Sequence, residues 1–208
     1  MEKKNYYTVD FNPTPQLAAP GAGLPFHHRI MLRWYVYPFI AKNAAPEQSA
    51  KSFNIVYTKI LEEVKNLSPQ QLNQKVLVPR QLGLEDSSRF WSIAMTLDHL
   101  LIVGRQIEKG VIELSNERAI PVKVDIAKVK PVEKNAATDI VNEYQNFVLE
   151  SPHRITEGAR NWESLMNHYH PWFGPFSLKG WYWLLGAHGG IHLKQIRAIK
   201  KQLDLNKV

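Results

Sequence analysis

The feature that most constrains this chain is an amphipathic pattern near its C-terminal end, at residues 177–203. At about 100° per residue, its apolar side chains fall within an arc of about 120°, the width of a core-facing helical stripe. Two histidines, His188 and His192, lie inside that stripe one helical turn apart. The pattern predicts a long core helix that buries both imidazoles. The stripe consists of Leu178, Trp181, Leu184, Leu185, His188, His192, Gln195, Ile196, Ile199 and Leu203.

The spacing of these two histidines suits a shared metal ion. Residues four positions apart on a helix have Cβ atoms roughly 5 to 6 Å apart, so both rings can reach one ion through bonds of about 2.0 to 2.1 Å. Histidines on a core face are more often satisfied by a carbonyl or a water, and the spacing alone is a weak signal. Burying two polar rings together is costly, however, unless something pairs with both. A shared cation would do so.

Composition favours one soluble domain. The 208 residues are 44% hydrophobic and 22% charged, which is ordinary for a globular protein with a single core. No apolar run approaches the roughly 18 residues of a membrane span. The N-terminus lacks the pattern of a secretory signal, and the chain contains no cysteine, so we expect a cytoplasmic protein without disulfides or thiolate ligands.

The net charge of +7 raises the question of nucleic-acid binding. Basic residues are spread along the chain rather than clustered, so a solvated basic face is the preferred interpretation and no nucleic-acid partner is expected. The modest concentration near the C-terminus also offsets the dipole of the last helix. It consists of Lys194, Arg197, Lys200, Lys201 and Lys207.

The first 45 residues form a segment distinct from the rest. Residues 1–26 are rich in Pro, Gly and Ala, which predicts an extended arm. Residues 27–45 are apolar and aromatic but include Arg33 and Pro38, which predicts a short kinked helix that packs on the main body. Contact with a membrane surface or with a second copy is the weaker alternative. We therefore divide the chain into this segment and a helical bundle at residues 46–208.

Three more helical patterns precede the last one, at residues 46–67, near 88–114 and at 136–149. The second begins near Ser88 or Ser92 and carries His99, with Met95 on the same face. A lone buried histidine is usually structural. Facing helices in a bundle lie about 8 to 10 Å apart, however, so His99 is placed to join the other two histidines as a third ligand.

A long connection at residues 151–176 contains the segment HYHPWFGPFS. Such connections are frequently functional. His170, Trp172 and Phe173, together with Met95, are candidates for the wall of a pocket. Plugging of the core by the same aromatic side chains is an equally good interpretation.

Several short motifs resemble those of the DinB/YfiT-like superfamily of metal-binding four-helix bundles. Trp91 and Ser92 precede His99, and the last helix carries His188-x-x-x-His192-x-x-Gln195. The H-P-x-F-G-P stretch at residues 170–175 resembles one uncharacterised branch. The similarity spans roughly residues 50–203. It implies an all-α, up-down four-helix bundle in which His99, His188 and His192 bind one divalent ion, often within a homodimer.

The resemblance also implies a class of chemistry, because characterised relatives include transferases and isomerases that use small thiols. Three neutral imidazoles leave open positions on a zinc, nickel or iron ion, where a bound water or thiol becomes more acidic. We therefore expect a metalloenzyme that transfers a thiol to, or hydrolyses, a small electrophilic substrate. Gln195 and Gln106 are candidates for orienting a ligand or substrate, although a plain buried amide is as good an interpretation for each.

The residues after His188 separate this chain from H-E-x-x-H metalloproteases. Gly189 and Gly190 follow it, where such proteases place a glutamate base, so peptide hydrolysis of that kind is disfavoured. Each glycine costs about 1 kcal/mol of helix propensity against alanine, which indicates close backbone packing or access to the ion. A second hypothesis is a noncatalytic bundle whose histidine or metal cluster is structural.

Overall fold

The computed structural model describes residues 15–131 and 137–204, and most of these are helical. The α-helices are α1 (Phe26–Met31), α2 (Pro46–Val64), α3 (Pro69–Asn73), α4 (Ile93–Ser115), α5 (Ala137–Gly158) and α6 (Leu178–Gln202). Of the four long helices, α2 and α4 each pack against both α5 and α6. The four therefore enclose one continuous hydrophobic core.

Side-chain caps set where the helices begin. The hydroxyl of Ser92 accepts a hydrogen bond from the backbone N–H of Met95 at 3.1 Å, and Ser177 caps α6 in the same way. Ser68 and Gln71 form the predicted capping box at the start of α3. Such caps satisfy N–H groups that have no partner within the helix. The start of α4 at Ser92, and of α6 at Ser177, fixes which residues face the core.

Helix α5 is longer than the pattern predicts. It was expected to end near residue 149 but continues through Pro152 to Gly158. Proline removes one hydrogen bond of the helix. Ser151 and Ile155 are both buried, so the core face extends beyond the proline and compensates for that loss. The connection to α6 is correspondingly shorter than expected.

Two glycines allow α6 to lie very close to α2. A Cβ atom on Gly189 would stand 2.4 Å from Cε2 of Tyr57, and one on Gly186 would stand 2.6 Å from Oγ of Ser52. No side chain larger than hydrogen fits such gaps without moving the helices. Gly190 is different, because a Cβ atom there would meet nothing within 4 Å. Gly189 is therefore a packing residue, whereas Gly190 borders open space.

The fold is mostly helical, as expected for an all-α bundle, with two short strand pairs added to it. Strand β1 (Val76–Leu77) pairs antiparallel with β2 (Phe90–Trp91), and β3 (Asn167–His170) with β4 (Gly174–Ser177). The second pair is a hairpin in which His170 lies opposite Gly174. Gly174 has a φ of +81°, which only glycine adopts at little cost, and this allows the chain to reverse.

The N-terminal segment contains the predicted short helix, but with an unexpected geometry. Helix α1 continues into a π-helical stretch, Leu32–Ala41, that includes Pro38. Its backbone bonds span five residues, as from the N–H of Lys42 to the carbonyl of Tyr37 at 2.9 Å. The part of the predicted arm at residues 15–25 has no helix or strand, and residues 1–14 lie outside the described part of the chain.

Across the described residues, no helix combines the length and the apolar composition needed to cross a bilayer.

Candidate metal centre

Three imidazoles from two helices converge at one point of the core. His99 lies on α4, and His188 and His192 lie on α6. Nε2 of His188 stands 3.2 Å from Nε2 of His99 and 3.2 Å from Nε2 of His192. The candidate ligand atoms of the three residues all lie within 4.8 Å of one another. The predicted meeting of His99 with the H-x-x-x-H pair is therefore present in the structure.

These separations match those expected around a small divalent ion. Two metal–nitrogen bonds of about 2.0 to 2.1 Å at a tetrahedral angle of about 109° place the nitrogens about 3.3 to 3.4 Å apart. The observed 3.2 Å between the nitrogens of His188 and each neighbour is close to that value. Two of the three nitrogen–nitrogen separations therefore match those around one ion, and all three lie within 4.8 Å.

Hydrogen bonds fix the orientation of two of the rings. Nδ1 of His99 lies 2.6 Å from the carbonyl oxygen of Val129, and Nδ1 of His192 lies 2.7 Å from Oε1 of Gln195. The Gln195 amide is itself oriented, because its Nε2 donates to the carbonyl of Ser88 at 2.7 Å. Both acceptors are oxygens that can only accept, so each Nδ1 carries the proton. Each Nε2 is then left with a free lone pair.

The cluster consequently has more acceptors than donors. The Nε2 lone pairs of His99 and His192 both face Nε2 of His188, and a neutral His188 can donate one N–H to only one of them. A buried acceptor without a donor is costly. One cation between the three nitrogens would satisfy all of them. Nδ1 of His188 is buried and has no hydrogen-bond partner among the described residues, so this ring is held less firmly than the other two.

Burial keeps the three rings in the form that binds metals. It lowers the pKa of His99 to about 4, outweighing the hydrogen bond to Val129, which acts to raise it. Burial also holds the pKa values of His188 and His192 well below the ordinary range, and the neighbouring imidazoles lower them further. All three are therefore neutral at pH 7, and metal ions bind neutral imidazole.

An aromatic ring and an ion pair surround the cluster. The ring of Trp91 lies 5.1 Å from that of His99 and stacks on His192 at 6.2 Å, measured between centroids. Nζ of Lys130 lies 5.3 Å from the centre of the Trp91 ring, and it donates to the carboxylate of Glu85. Burial acts to raise the pKa of Glu85, but the hydrogen bond and charge of Lys130 outweigh it, so that the pKa is lowered. The carboxylate is thus charged and paired.

Sequence reasoning missed Val129, Lys130 and Glu85. They lie in charged or proline-punctuated connections that have no sustained period. A backbone carbonyl such as that of Val129 leaves no mark in the sequence at all. Glu85 differs from other loop carboxylates only in being buried. The burial of a loop residue cannot be predicted from its neighbours in the chain.

The two predicted glutamines occupy different environments. Gln195 is fully buried beside His192, as predicted, and orients that ring. Gln106 is exposed on α4, about 10 Å along the helix axis from His99 at about 1.5 Å per residue. The structure therefore does not bring Gln106 to the imidazoles. Met95, one turn before His99, is half-buried.

The predicted pocket residues on the β3–β4 hairpin belong mainly to the core. Phe173 stacks on Phe176 with ring centroids 4.6 Å apart, and both are buried. His170 is buried among aromatic rings, and its Nδ1 accepts a hydrogen bond from the N–H of Trp172, which is half-buried. Burial lowers the pKa of His170 to about 3. The charge of a protonated His170 would also contribute to lowering the pKa of His188, after burial and the two nearer imidazoles.

Comparison with known proteins adds little beyond the general shape. No protein-family model matches the chain, and no curated protein matches it. Among solved structures, the chain is similar to the crystal structure of TT2238, a four-helix bundle protein. The two share 17% sequence identity with a TM-score of 0.48, over 74% of this chain and 99% of that one.

Proposed function

We propose that the protein is a metalloenzyme that activates a small thiol or a water at a trihistidine site. His99, His188 and His192 would hold one divalent ion, and the substrate would be a small electrophile. The proposal includes the finer architecture that the motifs imply, an up-down bundle of the DinB/YfiT-like kind. The observation that carries it is the convergence of three Nε2 atoms with more lone pairs than donors.

The donor set fits a divalent ion such as zinc, nickel or iron, because imidazole nitrogen suits all three. When bound, such an ion lowers the pKa of a coordinated water or thiol and so supplies a nucleophile at neutral pH. Three protein ligands leave at least one position for that group. The Gly-Gly sequence after His188 provides no carboxylate base, which favours small-molecule transfer or hydrolysis over peptide cleavage.

The chain's own residues have separate roles in this proposal. Val129 and Gln195 hold the Nδ1 protons of His99 and His192, and so direct both Nε2 atoms to the same point. Trp91 covers one side of the cluster and excludes water from it. Gln195 is thus a positioning residue, which acts through His192.

A noncatalytic bundle with a structural ion is the second candidate, and one observation favours it. His99 and His192 are buried in the core, and a cleft of about 410 Å³ between α4 and α5 has no histidine in its lining. It is instead lined by ion-pairing side chains, including Arg154 and Glu108, which are joined at 2.7 Å. A structural site would bind its ion without offering a position to a substrate.

Metal analysis tests the site. Purified protein equilibrated with zinc, nickel or iron and then freed of excess metal should retain about one ion per chain. His188→Ala and His192→Ala should each lose it, whereas His153→Ala, which removes an exposed histidine on α5, should retain it. Retention of stoichiometric metal in both cluster variants would contradict the site.

Cobalt spectroscopy separates an enzyme from a structural site. Cobalt-loaded protein titrated with a small thiol should develop a sulfur-to-cobalt charge-transfer band if a ligand position is open. Turnover of electrophiles in the presence of that thiol should then require the metal. A cobalt spectrum that no thiol or competing anion changes would support the structural interpretation instead.

A further inference from the structure

An exposed aromatic and aliphatic face lies on the N-terminal helical segment. Six of the thirteen large hydrophobic side chains that are exposed in the described residues belong to residues 26–40. Most exposed apolar side chains on a protein are scattered singly, so a cluster of this kind indicates an interaction surface. The aromatic face consists of Phe26 (75% exposed), Ile30 (39%), Trp34 (65%), Tyr35 (63%), Phe39 (81%) and Ile40 (56%).

Helix geometry brings these side chains to one side. Ile30 follows Phe26 by four residues, which is one turn of α1. In the π-helical stretch each hydrogen bond joins residues that are five positions apart. Phe39 follows Trp34 by five positions, and Ile40 follows Tyr35 by five. The wider turn therefore keeps the two pairs on a common face.

The opposite side of the segment is attached firmly to the bundle. The ring of Tyr37 lies 4.8 Å from that of Phe176, and its hydroxyl accepts a hydrogen bond from the N–H of Ser177 at 3.2 Å. The Ser177 hydroxyl in turn donates to the carbonyl of Lys42 at 3.2 Å, and Ala41 is buried. The aromatic face is thus presented by a docked element and does not depend on a partner to form.

The charge of the segment identifies the kind of surface it suits. Residues 15–45 contain no aspartate or glutamate. Arg29 and Lys42 are exposed, and so is His27, whereas the guanidinium of Arg33 lies against Gly174 of the hairpin. Exposed aromatic rings with basic residues alongside, on a helix too short to span, are typical of elements that lie in the headgroup region of anionic membranes.

We propose that this segment docks the protein on the surface of an anionic phospholipid bilayer. Phe26, Trp34 and Phe39 insert among the headgroups, and Arg29 and Lys42 contact lipid phosphates. A second copy of the chain fits the same face less well. A two-fold contact would bring the same cationic groups of both copies together with no acidic group in residues 15–45 to pair with them.

Vesicle co-sedimentation tests the proposal with the full chain. Vesicles containing about 30% phosphatidylglycerol in phosphatidylcholine should bind the protein, and pure phosphatidylcholine should bind it far less. Arg29→Gln with Lys42→Gln should weaken binding by about fivefold per charge removed. Trp34→Ser with Phe39→Ser should weaken it by roughly tenfold or more, since both rings lose their insertion. Raising the salt from about 0.1 M to about 0.5 M should reduce wild-type binding.

Matched variants away from the segment control for general loss of surface hydrophobicity or charge. Leu149→Ser with Leu165→Ser removes two other exposed apolar side chains, and Arg160→Gln with Lys194→Gln removes two other exposed charges. Both should bind vesicles as the wild type does. Equal binding by wild type and the Trp34/Phe39 variant would overturn the proposal. The proposal would also be overturned if the wild type were a dimer in sedimentation velocity and the Trp34/Phe39 variant a monomer. The aromatic face would then be a protein interface.

Discussion

The histidine cluster and the aromatic face of the N-terminal segment both depart from the usual placement of side chains. In the cluster polar rings lie inside the protein, and on the aromatic face apolar rings lie outside. The cluster buries the rings of His99 and His192 in the core and half-buries that of His188, whereas the aromatic face exposes large apolar rings to water. In the cluster, hydrogen bonds to Val129 and Gln195 account for two of the three rings and leave a surplus of acceptors. The cluster thus leaves nitrogen lone pairs without donors, and the aromatic face leaves apolar surface uncovered.

The two regions also differ in how they are held. Groups from four parts of the chain fix the cluster: α4, α6, the carbonyl of Ser88 and the carbonyl of Val129. The aromatic face is supported from behind, chiefly through Tyr37. Changes in the cluster should therefore alter folding and metal binding, whereas changes on the face should alter docking alone.

The largest effect expected for the histidine cluster is that of acid on the metal-free protein. Burial lowers the pKa of His99 from 6.5 to about 4, so the unfolded chain binds more protons than the folded chain between these values. Stability is therefore full above pH 6.5 and falls as the pH decreases toward 4. His99 alone contributes about 3 kcal/mol, because each pKa unit corresponds to about 1.4 kcal/mol.

Urea denaturation in the presence of a chelator, at a series of pH values, measures this effect. His99→Leu should make the profile shallower without flattening it, because the lowered pKa values of His188 and His192 remain, and the exposed His153→Gln is the control. A wild-type unfolding free energy that does not change across this window would show that the imidazoles are not buried in the neutral form.

The next effect concerns the two glycines that follow His188, of which only one packs against α2. Gly189→Ala should lower the free energy of unfolding by about 1 to 3 kcal/mol, because its methyl group would overlap the Tyr57 ring. Gly190→Ala should leave stability unchanged or raise it by up to about 1 kcal/mol, since the site is open and alanine favours the helix. Chemical denaturation of both variants measures the difference. Equal losses would mean that α6 does not approach α2 as closely as described.

A smaller effect concerns the glutamine beside His192. Gln195→Leu should weaken metal binding by about 10- to 100-fold, as expected when the group that orients a ligand is lost. Gln106→Leu is the matched control on α4 and should bind metal as the wild type does, because Gln106 is exposed and remote. Competition with a chromophoric chelator gives both affinities. A similar loss in the two variants would indicate a general effect on the fold.

The smallest effect is expected on the aromatic face. Trp34→Ser with Phe39→Ser should change the free energy of unfolding by less than about 0.5 kcal/mol, because exposed side chains contribute little to folding. Phe176→Ala, which removes a fully buried ring behind the face, should cost about 3 to 5 kcal/mol. Thermal or urea denaturation measures both. A large loss in the Trp34/Phe39 variant would mean that the face packs against this chain.

The helices and the pairing of His188 with His192 on one core face were predictable because their signals are local. The stripe of α6 and the serine caps of α4 and α6 depend on residues within one or two turns. The β3–β4 hairpin and the extension of α5 past Pro152 were not predicted, since core burial at Ile155 overrides the usual effect of proline. The exposure of Gln106 was also not predicted. Two turns separate it from His99, and residues on one helix face need not be equally buried along its length.

The sequence by itself determined that His188 and His192 share one core face, because the helical period acts between near neighbours. Tertiary structure alone decided which oxygens hold the cluster: the carbonyl of Val129 is 30 residues from His99, and that of Ser88 is 107 residues from Gln195. Tertiary structure also decided that Gly189 is a contact and Gly190 is not. Such pairings depend on the path of the whole chain, and backbone groups carry no sequence-specific signal.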